Sequence, residues 1–222
     1  MSQYATLYAA AKKFNAIAVI SQHMETSLSK IFPNLSIKSL PPNRSFKWTV
    51  MGIGSLSEDT FRTTCHVHIG DYPVEVPIFD PYRKALSLSD FKMKTKLELA
   101  AKRFLRSVAK DTGAQVFVGI HVRRTDYSVW LKEKINGRLL SKLYFSQARA
   151  ILEQNYKDKK VAFIVASDDR AWCKAMFANE TGYVLTEQFN KAEQDLAILA
   201  QTNHSIIRFD CYQQKVDILL KD

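Results

Sequence analysis

The chain has 222 residues, 46% of them hydrophobic and 24% charged, a globular composition that excludes a disordered protein and can fill a sizeable core. Its 32 Lys+Arg against 22 Asp+Glu leave a net charge of +10, which favours anionic ligands without separating nucleotide sugars from nucleic acid or a membrane surface. The basic residues form no run of five, and no apolar run nears the roughly 18 residues that span a bilayer, so neither a dedicated nucleic-acid stripe nor a membrane helix is expected.

In chain order, residues 4–13 are Ala-rich with apolar spacing suited to a helix, and Ala16–Ile20 reads as a buried strand. A helix near 24–31 ends before Pro33. All six prolines fall between 33 and 85, where short strands around Phe46–Met51 and Cys65–Ile69 alternate with irregular loops. Alternation on the second of these strands puts His66 and His68 on one solvent-facing side rather than around a metal with Cys65. Ser87–Ala109 reads as a long, Lys-rich amphipathic helix. From there the pattern is strand Gln115–Val122, helix Ser141–Tyr156, strand Val161–Ala166, helix Arg170–Phe177, strand Tyr183–Leu185, helix Glu193–Thr202 and strand Ser205–Phe209. Strands alternating with helices imply a parallel sheet covered on both faces.

Cys65, Cys173 and Cys211 lack the spacing of a zinc site, and an odd count leaves at least one thiol unpaired. Four triplets beginning at Asn34, Asn43, Asn179 and Asn203 fit the N-glycosylation acceptor pattern.

The stretch Val116-Phe-Val-Gly-Ile-His-Val-Arg-Arg-Thr-Asp126 carries the most chemistry. An uncharged strand runs directly into two guanidinium groups and a carboxylate, and in open α/β sheets ligands bind at the carboxyl ends of strands. A pair of planar, permanently charged forks suits a diphosphate and can neutralise it without a metal ion. Surface arginines paired with nearby acids are the plain alternative. Ser167-Asp168-Asp169-Arg170 repeats the arrangement after the next strand: a carboxylate there can accept the N1 and N2 hydrogens of guanine, or it can cap the following helix. Adjacent acids followed by Arg do not form a D-x-D metal motif. Asn203, His204 and Ser205 close the last helix, where they can bind ribose and phosphate or simply cap a helix end.

His121-Val-Arg-Arg-Thr-Asp126 resembles the H-x-R-R-x-D motif of inverting fucosyltransferases that use GDP-fucose, above all the galactoside α-1,2-fucosyltransferases. Gln3–Lys12 is similar to that family's first helix, Val165–Asp169 to its second nucleotide motif and Asp195–Ile207 to its third, in the same order, so the likeness covers residues 1 to about 207. The resemblance implies a GT-B-like α/β protein: a smaller N-terminal, acceptor-side lobe over residues 1–109, and a Rossmann-like GDP-fucose-binding lobe over residues 110–222. It implies transfer of L-fucose from GDP-fucose to the 2-hydroxyl of a terminal galactose on a glycan, in the Golgi lumen, with no metal cofactor and no nucleic-acid partner.

In those terms Arg123 and Arg124 stabilise the leaving diphosphate, and Asp126 acts as base or orients an arginine. His121 donates to a phosphate or packs at the strand end. Asp168 or Asp169, with Ser167, reads guanine, while Asn203, His204 and Ser205 border the donor. The family's G-x-G-N-Q loop is absent before Gln3 and its T-F-G-x-W turn is absent after Ile207, so a chain truncated at both ends, with its membrane anchor missing, is expected. An inactive relative that binds nucleotide sugar or glycan is the first alternative, and a basic nucleic-acid-binding protein the second.

Overall fold

The computed structural model describes residues 1–41, 43–44, 46–70, 74–187, 190–207 and 217–220; the side chains of residues 134, 135, 207 and 217–220 lie outside that description. The chain forms two compact units, Met1–Lys94 and Thr95–Asp222.

In the first unit α1 (Ser2–Lys13) and α2 (Gln22–Ser29) precede a two-stranded parallel sheet of β1 (Thr49–Met51) and β2 (Val67–Ile69), with α3 (Glu58–Thr63) between them. The short helices α4 (Val76–Phe79) and α5 (Arg83–Leu88) follow. Small side chains at Ala5 and Ala9 let α1 bury Tyr4 fully against Phe32, Leu35, Ile37 and Leu86. The Tyr4 hydroxyl bonds to the Asp90 carboxylate, which also accepts from the Ser36 N–H at 2.8 Å and the Ser89 hydroxyl at 2.8 Å. This carboxylate is 2% exposed and stays satisfied because three segments meet on it.

The strand expected at Ala16–Ile20 does not form. Only an isolated bridge joins Ile20 to Ser39, and Ile17 is 95% exposed. A five-residue apolar run has no periodicity to separate a strand from a connection, and here Asn15 turns the chain at φ +50° just before it. His68 is exposed, and the His66 ring, two residues before it, is half-buried against Phe46 with ring centres 4.3 Å apart.

The second unit begins with α6 (Thr95–Thr112), which the sequence reading placed in the first lobe. Its apolar stripe, Ala101, Leu105 and Val108, is buried in the second unit, so the division falls at 94/95 instead of 109/110. The single helix expected over 87–109 is thus two, α5 and α6. Then come β3 (Val116–Val122), α7 (Tyr127–Ile135), α8 (Lys142–Asn155), β4 (Val161–Ser167), α9 (Arg170–Phe177), β5 (Tyr183–Leu185), α10 (Ala192–Ala200), β6 (His204–Ile207) and β7 (Asp217–Leu220). The sheet order is β5-β4-β3-β6-β7, with the first four strands parallel and β7 antiparallel to β6. The parallel α/β sheet is as read from the sequence; β7 and α7 are not, and residues 208–209 of the expected last strand lie outside the described ones. Cys211 does too, while Cys173 is buried and Cys65 exposed, both as free thiols.

Alternation on β3 sends Val116, Val118, Ile120 and Val122 into one core with Phe163 and Val165 of β4, against Phe145, Ala148 and Leu152 of α8 and Cys173 and Phe177 of α9. Burying each such side chain contributes on the order of 1.5–3 kcal/mol. The opposite face meets α10. A Cβ at Gly119 would come within 2.8 Å of the Thr202 hydroxyl and 3.0 Å of Leu199, so only glycine lets this segment settle so close to the sheet.

Candidate functional site

From β3 the chain steps to β4 and β5 on one side, then returns through α10 to β6 on the other. The strand order therefore reverses between β3 and β6, which is where an open α/β sheet leaves a crevice at its carboxyl ends. A cavity of about 630 Å³ opens there. His121 leaves β3 into its wall, Ser167 and Asp168 leave β4, and Ser205 and Ile206 come from β6. Leu196 and Leu199 of α10 add an apolar side.

The β4 exit holds the β3 exit in place. Asp168 accepts from the Arg124 N–H at 2.9 Å, from the Thr125 N–H at 3.2 Å and from the Thr125 hydroxyl. Burial alone would raise the Asp168 carboxyl, but these donors carry it below its ordinary value, so it is ionised near neutral pH. Asp169 caps α9 by accepting from the Trp172 N–H at 3.1 Å, and its other oxygen takes Arg124 Nε at 3.4 Å. The Arg124 guanidinium then lies 3.7 Å from the centre of the Trp172 ring, a cation–π contact.

The two arginines do not form one clamp. Arg123 Nε and one terminal nitrogen bond to the two Asp126 oxygens, at 3.0 and 2.6 Å, and its guanidinium lies 5.5 Å from the Tyr127 ring centre. On an extended backbone neighbouring side chains diverge, and this turn keeps them apart: Arg124 goes to the β4 exit, Arg123 to the start of α7. The Arg123 hydrogen bonds also hold the Asp126 carboxyl below its usual range, which makes it a weak base and an orienting partner for Arg123.

His121 is solvent-exposed at the cavity wall, yet desolvation by the protein around it lowers its pKa; Asp168 and Asp195 oppose that shift and Arg123 adds to it. The imidazole is therefore neutral near pH 7 and keeps one N–H to donate.

Of the predicted residues, His121, Ser167, Asp168 and Ser205 line one cavity. Arg124 and Asp169 are bonded to that wall through the β4 exit, and Arg123 and Asp126 sit at the head of α7. Asn203 and His204 are not in this group: they stand at the amino end of β6, and the cavity lining begins with the next residue, Ser205. Asn203 pairs with Phe117 twice, through its own N–H and its side-chain oxygen, each at 2.8 Å, which also occupies the side chain of that glycosylation triplet. His204 is 5% exposed, with Nε2 bonded to the Tyr156 hydroxyl.

Sequence reasoning missed Arg170, Asp195 and Asn190, which line the same cavity. Arg170 donates to Asp195 at 2.7 Å and to the Thr186 carbonyl at 2.8 Å, and Asn190 donates to the other Asp195 oxygen at 3.0 Å. The available signal was position: Asp195 stands in the first turn of α10, whose start flanks the crevice. Among the described residues no three His, Cys, Asp or Glu side chains converge as metal ligands would.

The sequence matches the family model described as "Glycosyl transferase family 11" over residues 1–219. It is 28% identical over 214 residues to "Galactoside 2-alpha-L-fucosyltransferase SEC1" of Bos taurus, covering 93% of this chain and 57% of that protein. With "Galactoside alpha-(1,2)-fucosyltransferase 2" of Bos taurus the identity is also 28%, over 93% of this chain and 61% of the relative. The chain thus spans somewhat over half the length of these curated relatives. A crystal structure of POFUT1 in complex with GDP overlays 91% of this chain and 85% of its own, at 15% identity and a TM-score of 0.44, too distant to bear on function.

Proposed function

The chain belongs to glycosyl transferase family 11, and from that membership we propose that it transfers L-fucose from GDP-fucose to the 2-hydroxyl of a terminal galactose, in keeping with relatives named as galactoside α-1,2-fucosyltransferases. One observation carries the reading: the 630 Å³ cavity at the reversal of strand order combines an apolar wall with ionised and hydrogen-bonding side chains. Leu196 and Leu199 suit the faces of a purine, and Asp195 with Asn190 suits the edge of guanine, whose N1 and N2 hydrogens need an acceptor. Asp168 holds the exit loop and Asp169 caps α9 outside the cavity lining, whereas Asp195, paired with Arg170 and Asn190, lines the cavity beside its apolar wall.

In the reaction proposed, the bond between fucose carbon 1 and the diphosphate oxygen breaks as the acceptor hydroxyl oxygen bonds that carbon from the opposite face and its proton passes to the Asp126 carboxylate. Negative charge then grows on the diphosphate. Arg124, held over Trp172 with Nε on Asp169, directs its guanidinium charge to that group, and the neutral His121 donates its N–H. Guanidinium charge in place of a metal ion makes a metal-independent transfer the simplest scheme. Arg123 and Asp126 serve the acceptor side, and the compartment proposed, on the strength of the relatives, is the Golgi lumen.

The test is calorimetric titration with GDP, followed by a turnover assay with GDP-fucose and a β-galactoside. Wild-type chain binds GDP and releases it from GDP-fucose only with acceptor present, while Arg124→Ala lowers turnover about 10²- to 10³-fold. GDP binding without turnover would make the chain a non-catalytic relative; no GDP binding, with salt-dependent affinity for DNA or RNA, would overturn the proposal.

A further inference from the structure

Directly after the β3 exit loop, α7 carries two aromatic rings one turn apart. Tyr127 and Trp130 have ring centres 5.5 Å apart and planes within 10° of parallel. Trp130 is 40% exposed and Val129 beside it 57% exposed, while Leu131, on another side of the helix, is fully buried. The helix is therefore docked through Leu131 and shows an indole to solvent, an arrangement that core packing does not call for. The rim of this surface is charged: Arg123 lies over Tyr127 at 5.5 Å and is joined to Asp126, and both side chains are more than half exposed.

A parallel aromatic pair edged by a donor fork and a carboxylate has the chemistry of a sugar subsite. One face of a pyranose presents C–H bonds that pack on aromatic rings, and its rim presents hydroxyls that both donate and accept. A galactoside fits this best, because its axial 4-hydroxyl clears the opposite face and leaves the hydrogens of carbons 3, 4 and 5 as one apolar patch. We infer that Tyr127 and Trp130, rimmed by Arg123 and Asp126, form the platform on which the terminal galactose of the acceptor glycan binds. The inference rests on the fucosyl-transfer reading, which supplies that acceptor. It is also continuous with the site, since the same short loop carries His121 into the cavity and Arg124 onto the β4 exit.

The experiment measures binding of methyl β-galactoside by saturation-transfer NMR and of GDP by calorimetry, on the whole chain and on Trp130→Ala and Trp130→Phe. Trp130→Ala is expected to weaken galactoside binding about tenfold with GDP affinity unchanged, and Trp130→Phe to recover most of it. If Trp130→Ala loses GDP binding too, Trp130→Leu replaces it with the same expectation, since it keeps apolar bulk without a π face. Galactoside binding untouched in these variants overturns the platform. A chain that binds GDP and no galactoside also overturns it but leaves the nucleotide-sugar reading standing; a chain that binds galactoside through Trp130 and no GDP does the reverse. Self-association that Trp130→Ala abolishes, with no sugar binding, would assign this surface to a second copy of the chain and overturn the platform.

Discussion

At the carboxyl ends of β3 and β4 and the start of α10, the polar side chains of His121, Ser167, Asp168 and Asp195 face a cavity. At the amino end of β6 they are spent on the protein itself: Asn203 spans the backbone of Phe117, and His204 meets Tyr156 at the end of α8. The difference shows how a parallel sheet divides its labour. Residues that begin a strand are consumed in completing the ladder and its side packing, while those that follow a strand have finished pairing and can turn toward a ligand.

The sharpest way to break this contrast is Asp195→Ala at the carboxyl end. It leaves Arg170 largely shielded without its carboxylate, so stability should fall by about 2 kcal/mol, less than for a fully buried pair because both side chains keep some solvent. GDP affinity should fall more than tenfold together with the urea midpoint; unchanged GDP affinity would remove Asp195 from base recognition. At the amino end, Tyr156→Phe deletes one partner of a buried histidine and should cost about 1 kcal/mol by the same unfolding measurement, with GDP affinity untouched. Loss of nucleotide binding there would dissolve the division between the two ends. The smallest effect belongs to Asp126→Asn. The Arg123–Asp126 pair is 54% and 68% exposed and screened by solvent, so its removal should leave the melting temperature within the scatter of a thermal melt.

These contrasts also explain what could be read without a structure. The β3 strand was legible because seven consecutive positions carry no fixed charge, and the helices over 142–155 and 170–177 because their apolar spacing has one period. His121, Ser167 and Asp168 were legible because the residues after a buried strand are confined to the crevice. Asn203 and His204 were misplaced because a helix terminus and a strand start are only three residues apart here, and a one-dimensional reading cannot tell which end of the sheet the turn reaches. Asp195 was passed over because a carboxylate in a helix's first turn is ordinary on electrostatic grounds alone; what singles it out is Arg170, 25 residues away in sequence. The divergence of Arg123 from Arg124 was open in principle, since alternate side chains on extended backbone point apart, but the partners that separate them, Asp126 and Asp169, lie on different elements. α7 escaped notice because its aromatic and β-branched residues favour a strand as much as a helix.

Gly119 gives the site its depth. α10 brings Asp195, Leu196 and Leu199 to the cavity, and how near it lies to β3 is fixed where the sheet offers a hydrogen atom in place of a methyl group. The dimensions of the chamber are thus governed from its floor, by a residue with no functional group of its own. A larger residue at 119 would therefore reshape the chamber with every polar side chain around it left as it was.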